Sequence, residues 1–257
     1  MAEAAIELIG IDKRFGPVHA NRAINLQVEK GTIHGIVGEN GAGKSTLMSI
    51  LYGFYEADAG EIRVRGAAIR IRSPRDAIAA GIAYVPEERK SDGLALDLSV
   101  VENLSLPQLA ELARAGVVDR GREAGLAAEQ IGALAIRTPG ARVPAGNLSG
   151  GNQQKVVLGK WLARGCKVLI LDEPTTGIDI GAKVEIYRLL RQLATRGVAI
   201  LLISSDLLEV LGLSDRVLVM RKGRIAARVD GTDASEEELI RSALGAEEGE
   251  DAGEVAR

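Results

Sequence analysis

The chain predicts an α/β protein: a largely parallel sheet covered by helices, with an antiparallel β portion at its front and an inserted α-helical portion in its middle. Three observations carry this. The second half alternates short apolar runs with helical stretches, the pattern of parallel strands covered on both faces. The front shows the polar–apolar alternation of half-buried strands. Between them, residues 100–134 are rich in Ala, Leu, Glu and Arg and poor in β-branched residues, a helical composition.

The elements follow in order. Ile6, Leu8 and Ile11 mark a first strand, and Ile24, Leu26 and Val28, alternating with Asn25, Gln27 and Glu29, mark a second. Residues 33–37 form a short apolar strand that runs into glycines. Residues 61–73 hold two strands split by Gly66, followed by an Ala-rich helix over 75–80 and a strand over 82–85. The helical stretch 100–134 ends in a loop at 138–147, marked by Pro139, Gly140, Pro144 and Gly146. A helix is expected over about 150–163. Strand and helix then alternate: strands at 168–171, 198–204 and 217–220, helices at 181–195 and 207–211. Residues 247–257, with five acids, are expected to form a disordered tail. That leaves one domain over 1–246, its core at 1–87 and 165–230 and its helical portion at about 88–164. No internal repeat is visible.

Composition bounds the chemistry. At 257 residues, 46% hydrophobic and 26% charged, the chain can bury a sizeable core, and with 3% aromatics that core must be aliphatic. A single Cys excludes an internal disulfide, and one Cys with two His cannot build a zinc cage. A net charge of −3 supplies no basic field, so no nucleic-acid partner is expected. The longest apolar runs, such as 198–203, have strand length and not membrane-span length. The first six residues lack a basic region followed by an apolar run, so a signal peptide is not expected.

Three motifs carry chemistry. Gly38-Glu39-Asn40-Gly41-Ala42-Gly43-Lys44-Ser45-Thr46 fits G-x-x-x-x-G-K-[ST] between a strand and a helix, the phosphate loop of ATP-binding proteins. Glycines let backbone N–H groups converge on phosphate oxygens, and the helix that follows presents its positive end. Lys44 adds a charge for the β- and γ-phosphates, and the Ser45 hydroxyl suits Mg²⁺. The second motif is an apolar strand ending in Asp172 and Glu173. Asp172 is a metal-binding candidate, and Glu173 is placed as general base for a water attacking the γ-phosphate. Alone, this strand end would read as a solvated acidic turn. The third is Ser149-Gly150-Gly151, opening a helix in the sequence Leu148 to Gln154. Alone it would read as a helix cap.

The order and separation of these three motifs resemble the nucleotide-binding domain of ATP-binding cassette (ABC) transporters, over about residues 6–244. The resemblance implies a P-loop NTPase core of RecA-like type with an antiparallel β subdomain and an inserted helical subdomain. It implies ATP and Mg²⁺ as cofactors, and pairing with a second cassette, as homodimer or heterodimer. Ser149, Gly150 and Gly151 would then contact the nucleotide across that dimer, and Asp179 would touch the opposite site. Phe15 matches the adenine-stacking aromatic. Two positions depart from the wider pattern: Glu87 stands where a Mg²⁺-sensing glutamine is usual, and Ser205 where a γ-phosphate histidine is usual. Glu87 would add negative charge near the metal. Ser205 can donate a hydrogen bond but carries no charge; the two departures imply either tight binding with slow hydrolysis or a trait of second-cassette lineage with little effect.

The spelling of residues 83–94, 152–156 and 174–183 resembles the second cassette of monosaccharide importers. That of 34–55 resembles the first cassette, of nucleoside type. The resemblance implies an ATPase subunit powering import of a sugar or nucleoside-like solute from the cytoplasmic face of the membrane. An integral permease and, indirectly, an external solute-binding protein would be its partners. A nucleotide-binding module with little turnover, and a non-transport ABC ATPase, are the competing readings. His19 reads as a surface residue, His34 as a satisfied core group and Trp161 as core packing.

Overall fold

The computed structural model describes residues 3–231 and 233–245; the acidic stretch 247–257 lies outside them. At the front, β1 (Ala4–Phe15) and β2 (Val18–Glu29) pair antiparallel, with Leu8 opposite Leu26 and Ile11 opposite Ile24. This register buries Ile6, Leu8, Ile24, Leu26 and Val28, the face that their alternation predicts. After β3 (Ile33–Val37) and α1 (Lys44–Tyr52), β4 (Ala59–Val64) and β5 (Ala67–Ile69) complete an antiparallel sheet in the order β2-β1-β4-β5.

Next come α2 (Pro74–Ala79), capped by the Ser73 side chain, and β6 (Ile82–Val85). A wide π-type turn over Arg89–Gly93 leads into the helical portion. This holds α3 (Val100–Ser105), α4 (Leu109–Leu112), β7 (Ala113–Arg114), β8 (Val117–Val118), α5 (Arg120–Ala133) and α6 (Gly150–Ala163). The remainder alternates β9 (Val168–Asp172), α7 (Ile180–Thr195), β10 (Ala199–Ile203), α8 (Leu207–Leu213) and β11 (Arg216–Arg221). It closes with β12 (Arg224–Asp230) and α9 (Glu236–Leu244).

Two features depart from the sequence reading. The stretch 100–134 is not wholly helical: a hairpin of β7 and β8 interrupts it at a tight Ala115–Gly116 turn, both residues having positive φ (49° and 81°). That is the backbone of a two-residue hairpin turn, and the flanking pairs are too short to show as alternation. The chain also continues past β11 with β12 and α9. In β12 only Ile225, Ala227 and Val229 face inward, and all three are half-buried, so the periodic signal is faint.

The second sheet has the order β12-β11-β3-β10-β9-β6, parallel except for β12 at the edge. Every residue of β3, β9 and β10 is buried, as in a sheet covered on both faces. The packed aliphatic core runs from this sheet through α1 and α6 into the antiparallel sheet. Burying each such side chain is worth roughly 1.5–3 kcal/mol. Cys166 is buried between α6 and β9, where desolvation pushes its thiol up to about 12. Trp161 packs in the core, edge-on to Tyr52 of α1 with ring centroids 6.2 Å apart.

The parallel register fixes where chemistry can occur. Ile203 pairs with both Ile36 and Asp172, and Val85 pairs with Leu171. The ends of β3, β9, β10 and β6 therefore open on one edge of the sheet, the edge where open α/β sheets bind ligands.

Candidate active site

The loop between β3 and α1 is built around Gly43, which occupies the N-cap position of α1 with φ 102° and no side-chain cap. A Cβ there would lie 2.3 Å from the Ala20 carbonyl oxygen and 2.9 Å from Asn21 Nδ2, so both conformation and space require glycine. The buried Asn21 donates from Nδ2 to the Gly43 carbonyl at 3.1 Å and holds the loop from below. The first-turn N–H groups of α1 have no carbonyl four residues back, which leaves them free for an anion. Lys44 Nζ folds over the loop and donates to the carbonyls of Gly38 (2.5 Å) and Glu39 (3.0 Å). Burial lowers the Lys44 pKa, and the nearby Glu173 and Asp172 carboxylates oppose that shift.

A cleft of about 910 Å³ opens over this loop. It is lined by Phe15, Gly38, Asn40, Gly41, Ala42, Gly43, Lys44, Ser45 and Thr46, with Glu87, Asp172, Glu173 and Ser205 across from them. The size suits a drug-sized or cofactor-sized ligand. Phe15 stands exposed at its mouth, edge-on to Tyr55 with ring centroids 5.1 Å apart.

Asp172 ends β9 and is buried; Tyr84 donates its hydroxyl to Oδ2 at 2.9 Å. Burial raises the Asp172 pKa, against the Tyr84 hydrogen bond and Lys44, which lower it. Glu173 has φ 46°, a left-handed conformation that costs a non-glycine residue on the order of 1 kcal/mol. Its N–H donates to the Ile203 carbonyl at 2.9 Å. Its carboxylate accepts from Ser205 twice: from the backbone N–H to Oε1 at 2.7 Å and from Oγ to Oε2 at 3.2 Å. Burial raises the Glu173 pKa, and the Ser205 bonds oppose this.

The Ser205 segment is itself anchored. Ser204 Oγ donates to the buried Glu209 Oε2 at 2.5 Å, and the Asp206 N–H donates to Ser204 Oγ at 3.1 Å. Among the described residues no group of three His, Cys, Asp or Glu forms a ready metal cage. The Ser45 hydroxyl and Asp172 carboxylate, both on the cleft, form the sparse oxygen donor set that suits Mg²⁺, which keeps waters and takes phosphate oxygens.

The third motif lies elsewhere. Ser149 is the N-cap residue of α6 and its Oγ accepts from Asn152 Nδ2 at 2.9 Å. Asp179 caps α7, accepting the Ala182 N–H at 2.9 Å. Ser149, Gly151 and Asp179 line a small depression of their own, apart from the lining of the phosphate-loop cleft, and Gly150 packs behind it against Arg89 and Gly177. Both histidine readings need correction. His34 is buried with Nε2 3.3 Å from the Glu29 carboxylate, but neither ring nitrogen makes a hydrogen bond among the described residues. His19 lines the cleft and its Nε2 pairs with the Asp12 carboxylate. Tyr84 and Arg89, within the 83–94 segment, and Asn21 and Glu209, outside any motif, support the site. Asn21, Tyr84 and Arg89 lie 22 to 88 positions from the groups they hold, and only the fold brings them together.

Comparison with known proteins agrees with this geometry. The family model described as ABC transporter matches residues 21–176. The ribose import ATP-binding protein RbsA 1 of Agrobacterium fabrum is 48% identical over 224 residues, covering 87% of this chain and 44% of that one. The RbsA protein of Pseudomonas putida is 46% identical over 233 residues, covering 91% and 46%. The chain thus spans less than half the length of these curated relatives. A nucleotide-free ATP-binding cassette from an ABC transporter superimposes with TM-score 0.79 at 25% identity, over 94% of this chain and 95% of that one. The cbiO1 protein of Clostridium perfringens, part of the cbiONQ transporter complex, does so with TM-score 0.78 at 25% identity, over 93% and 94%. With a family model over most of its length, close relatives at nearly half identity and the same cassette architecture, the chain belongs to the ABC transporter family.

Proposed function

We propose that this cassette binds and hydrolyses ATP to power import of a sugar across the cytoplasmic membrane, working at the cytoplasmic face beneath an integral permease. The observation that carries the ATPase reading is the convergence of the phosphate loop, Asp172 and Glu173 on one sheet edge. The relatives named for ribose import support a sugar as the cargo. Among the described residues no helix is long and apolar enough to cross a membrane, so the permease would supply the pathway. An external solute-binding protein would deliver the sugar to it.

In this reading each residue has one task. The N–H groups of residues 41–46 and the Lys44 ammonium hold the phosphates, which requires Lys44 to exchange the Gly38 and Glu39 carbonyls for phosphate oxygens. Phe15 stacks on the base. Ser45 and Asp172, with Glu87 beside them, would hold Mg²⁺, which neutralises phosphate charge when bound. Glu173 accepts the proton of the attacking water. Ser149, Gly150, Gly151 and Asp179, turned away from their own chain's cleft, serve the nucleotide of a second cassette. Glu173→Gln is expected to lower kcat at least ~100-fold while ATP still binds, and Lys44→Ala to weaken ATP binding itself. A Glu173→Gln chain that turns over ATP normally would sink the assignment.

Slow hydrolysis is the second reading, favoured by one observation. Ser205 holds both Glu173 oxygens, the group that must take the proton, and offers no positive charge to the γ-phosphate.

A further inference from the structure

Arg89 lies in the wide turn that follows Glu87 and is used by none of the chemistry above. Its guanidinium reaches across to the loop that follows Glu173. Nη1 donates to the Thr176 carbonyl at 2.6 Å and Nη2 to the Gly177 carbonyl at 3.1 Å. The third donor, Nε, is buried and has no hydrogen-bond partner among the described residues. Leaving a charged donor unsatisfied is a cost, so the side chain is held here by what its other two donors grip. A third segment closes on the same group. A Cβ added to Gly150, at the start of α6, would stand 2.9 Å from Arg89 Nη2 and 3.1 Å from the Gly177 carbonyl oxygen. A side chain at 150 would thus press on the guanidinium and on the loop beside it within this chain.

The turn and the loop are each closed by backbone hydrogen bonds at the contact. The turn is closed by the Arg89 N–H to the Glu87 carbonyl at 3.1 Å and the Asp92 N–H to the Glu88 carbonyl at 2.9 Å. Its far end is tied to α6, where Lys160 Nζ donates to the Gly93 carbonyl. The loop is closed by the Thr176 N–H to the Glu173 carbonyl and the Ile178 N–H to the Thr175 carbonyl, both 3.2 Å. It then enters Asp179, the cap of α7. A shift of the turn therefore pulls on two carbonyls three and four residues beyond Glu173.

We propose that Arg89 is a positioning residue that yokes the turn after Glu87, the loop from Glu173 to Asp179 and the start of α6, so that these segments shift together. A planar fork with two donors in fixed geometry fits this task, whereas a lysine ammonium is a flexible point charge that would fix the two carbonyls less rigidly. The proposal rests on the ATPase reading for its consequence in turnover, but the yoke itself is a statement about the chain alone.

The test uses the full chain with Arg89→Ala, Arg89→Lys and Gly150→Ala. Hydrogen–deuterium exchange should be about tenfold faster over 176–182 in Arg89→Ala and in Gly150→Ala, which displaces the guanidinium without removing it, and unchanged over 38–48. In steady-state ATP hydrolysis, Arg89→Ala should lower kcat about tenfold with KM within twofold, and Arg89→Lys should fall between it and the wild type. A role in general stability alone would not split kcat from KM in this way. Unchanged exchange over 176–182 overturns the yoke. Unchanged kcat, or a KM that rises as kcat falls, overturns its part in turnover. A wild-type chain that binds no ATP overturns the ATPase reading, and the exchange measurement then still decides the yoke.

Discussion

Glu173 is constrained through both backbone and side chain: a left-handed φ of 46° sets its direction, and Ser205 holds both carboxylate oxygens. The stronger of the two bonds comes from the backbone N–H, which every residue at 205 supplies. Ser205→Ala should therefore leave Glu173 in place, while Ser205→His adds a group that can carry charge to the γ-phosphate. Single-turnover hydrolysis is expected to rise about tenfold in Ser205→His; an unchanged rate would favour lineage over mechanism as the reason for serine. Lys160 offers a second test at this scale. It is buried against Trp161 with the Gly93 carbonyl as its acceptor, and desolvation lowers its pKa to about 8. The folded state then binds fewer protons than the unfolded state above about pH 8, so stability rises with pH there. The difference in thermal stability between the wild type and Lys160→Met, in which the opposing contribution of the Cys166 thiol cancels, should grow between pH 7.5 and 9.5. The phosphate-loop residues, Asp172 and Glu173 were legible in the sequence because their chemistry demands fixed residue types at fixed spacing. The roles of Arg89 and Tyr84 were not, because each acts on a group 87 or 88 positions away that only the fold brings near, and Glu209, though five positions from Ser204, carries no sequence signal of that bond.

Elements that carry their own end signals were read well. α6 starts after Ser149, at the position the sequence offers as a cap, and the apolar β9 and β10 match their expected spans to within two residues. Elements held by context were not: β12 is an edge strand with little apolar content, and the β7–β8 hairpin is two residues a side. α3 shows what local signals are worth. It has six residues, too few to persist alone, and it is set by a capping box in which Ser99 and Glu102 satisfy each other's backbone N–H. Ser99→Ala should cost about 1 kcal/mol in chemical denaturation. Because the Val100 and Val101 N–H groups donate to the Val143 and Ala141 carbonyls, loss of the cap should loosen the 141–143 loop first.

The described residues are organised by a main aliphatic core that passes through both larger sheets and the helical portion, with a smaller cluster of Val37, Val210, Val217, Val219 and Leu239 beside it. Trp161 sits where α6 meets α1, within that core. Its fluorescence should therefore report the same unfolding transition as far-ultraviolet circular dichroism, with coincident midpoints. An earlier fluorescence transition would show the helical portion parting from the sheets. The parallel arrangement also explains why one sheet edge collects the chemistry and why the Ser149 depression does not share it: α6 starts in the inserted helical portion, beyond the strand ends. Buried Cys166 has a practical consequence. A thiol this shielded and this hard to ionise stays silent toward maleimides at neutral pH. Cysteines introduced at the exposed Ser91 and Ser149 would thus take spin labels or fluorophores on an otherwise native background, and the distance between them would read out the mutual motion of the turn and α6 in real time.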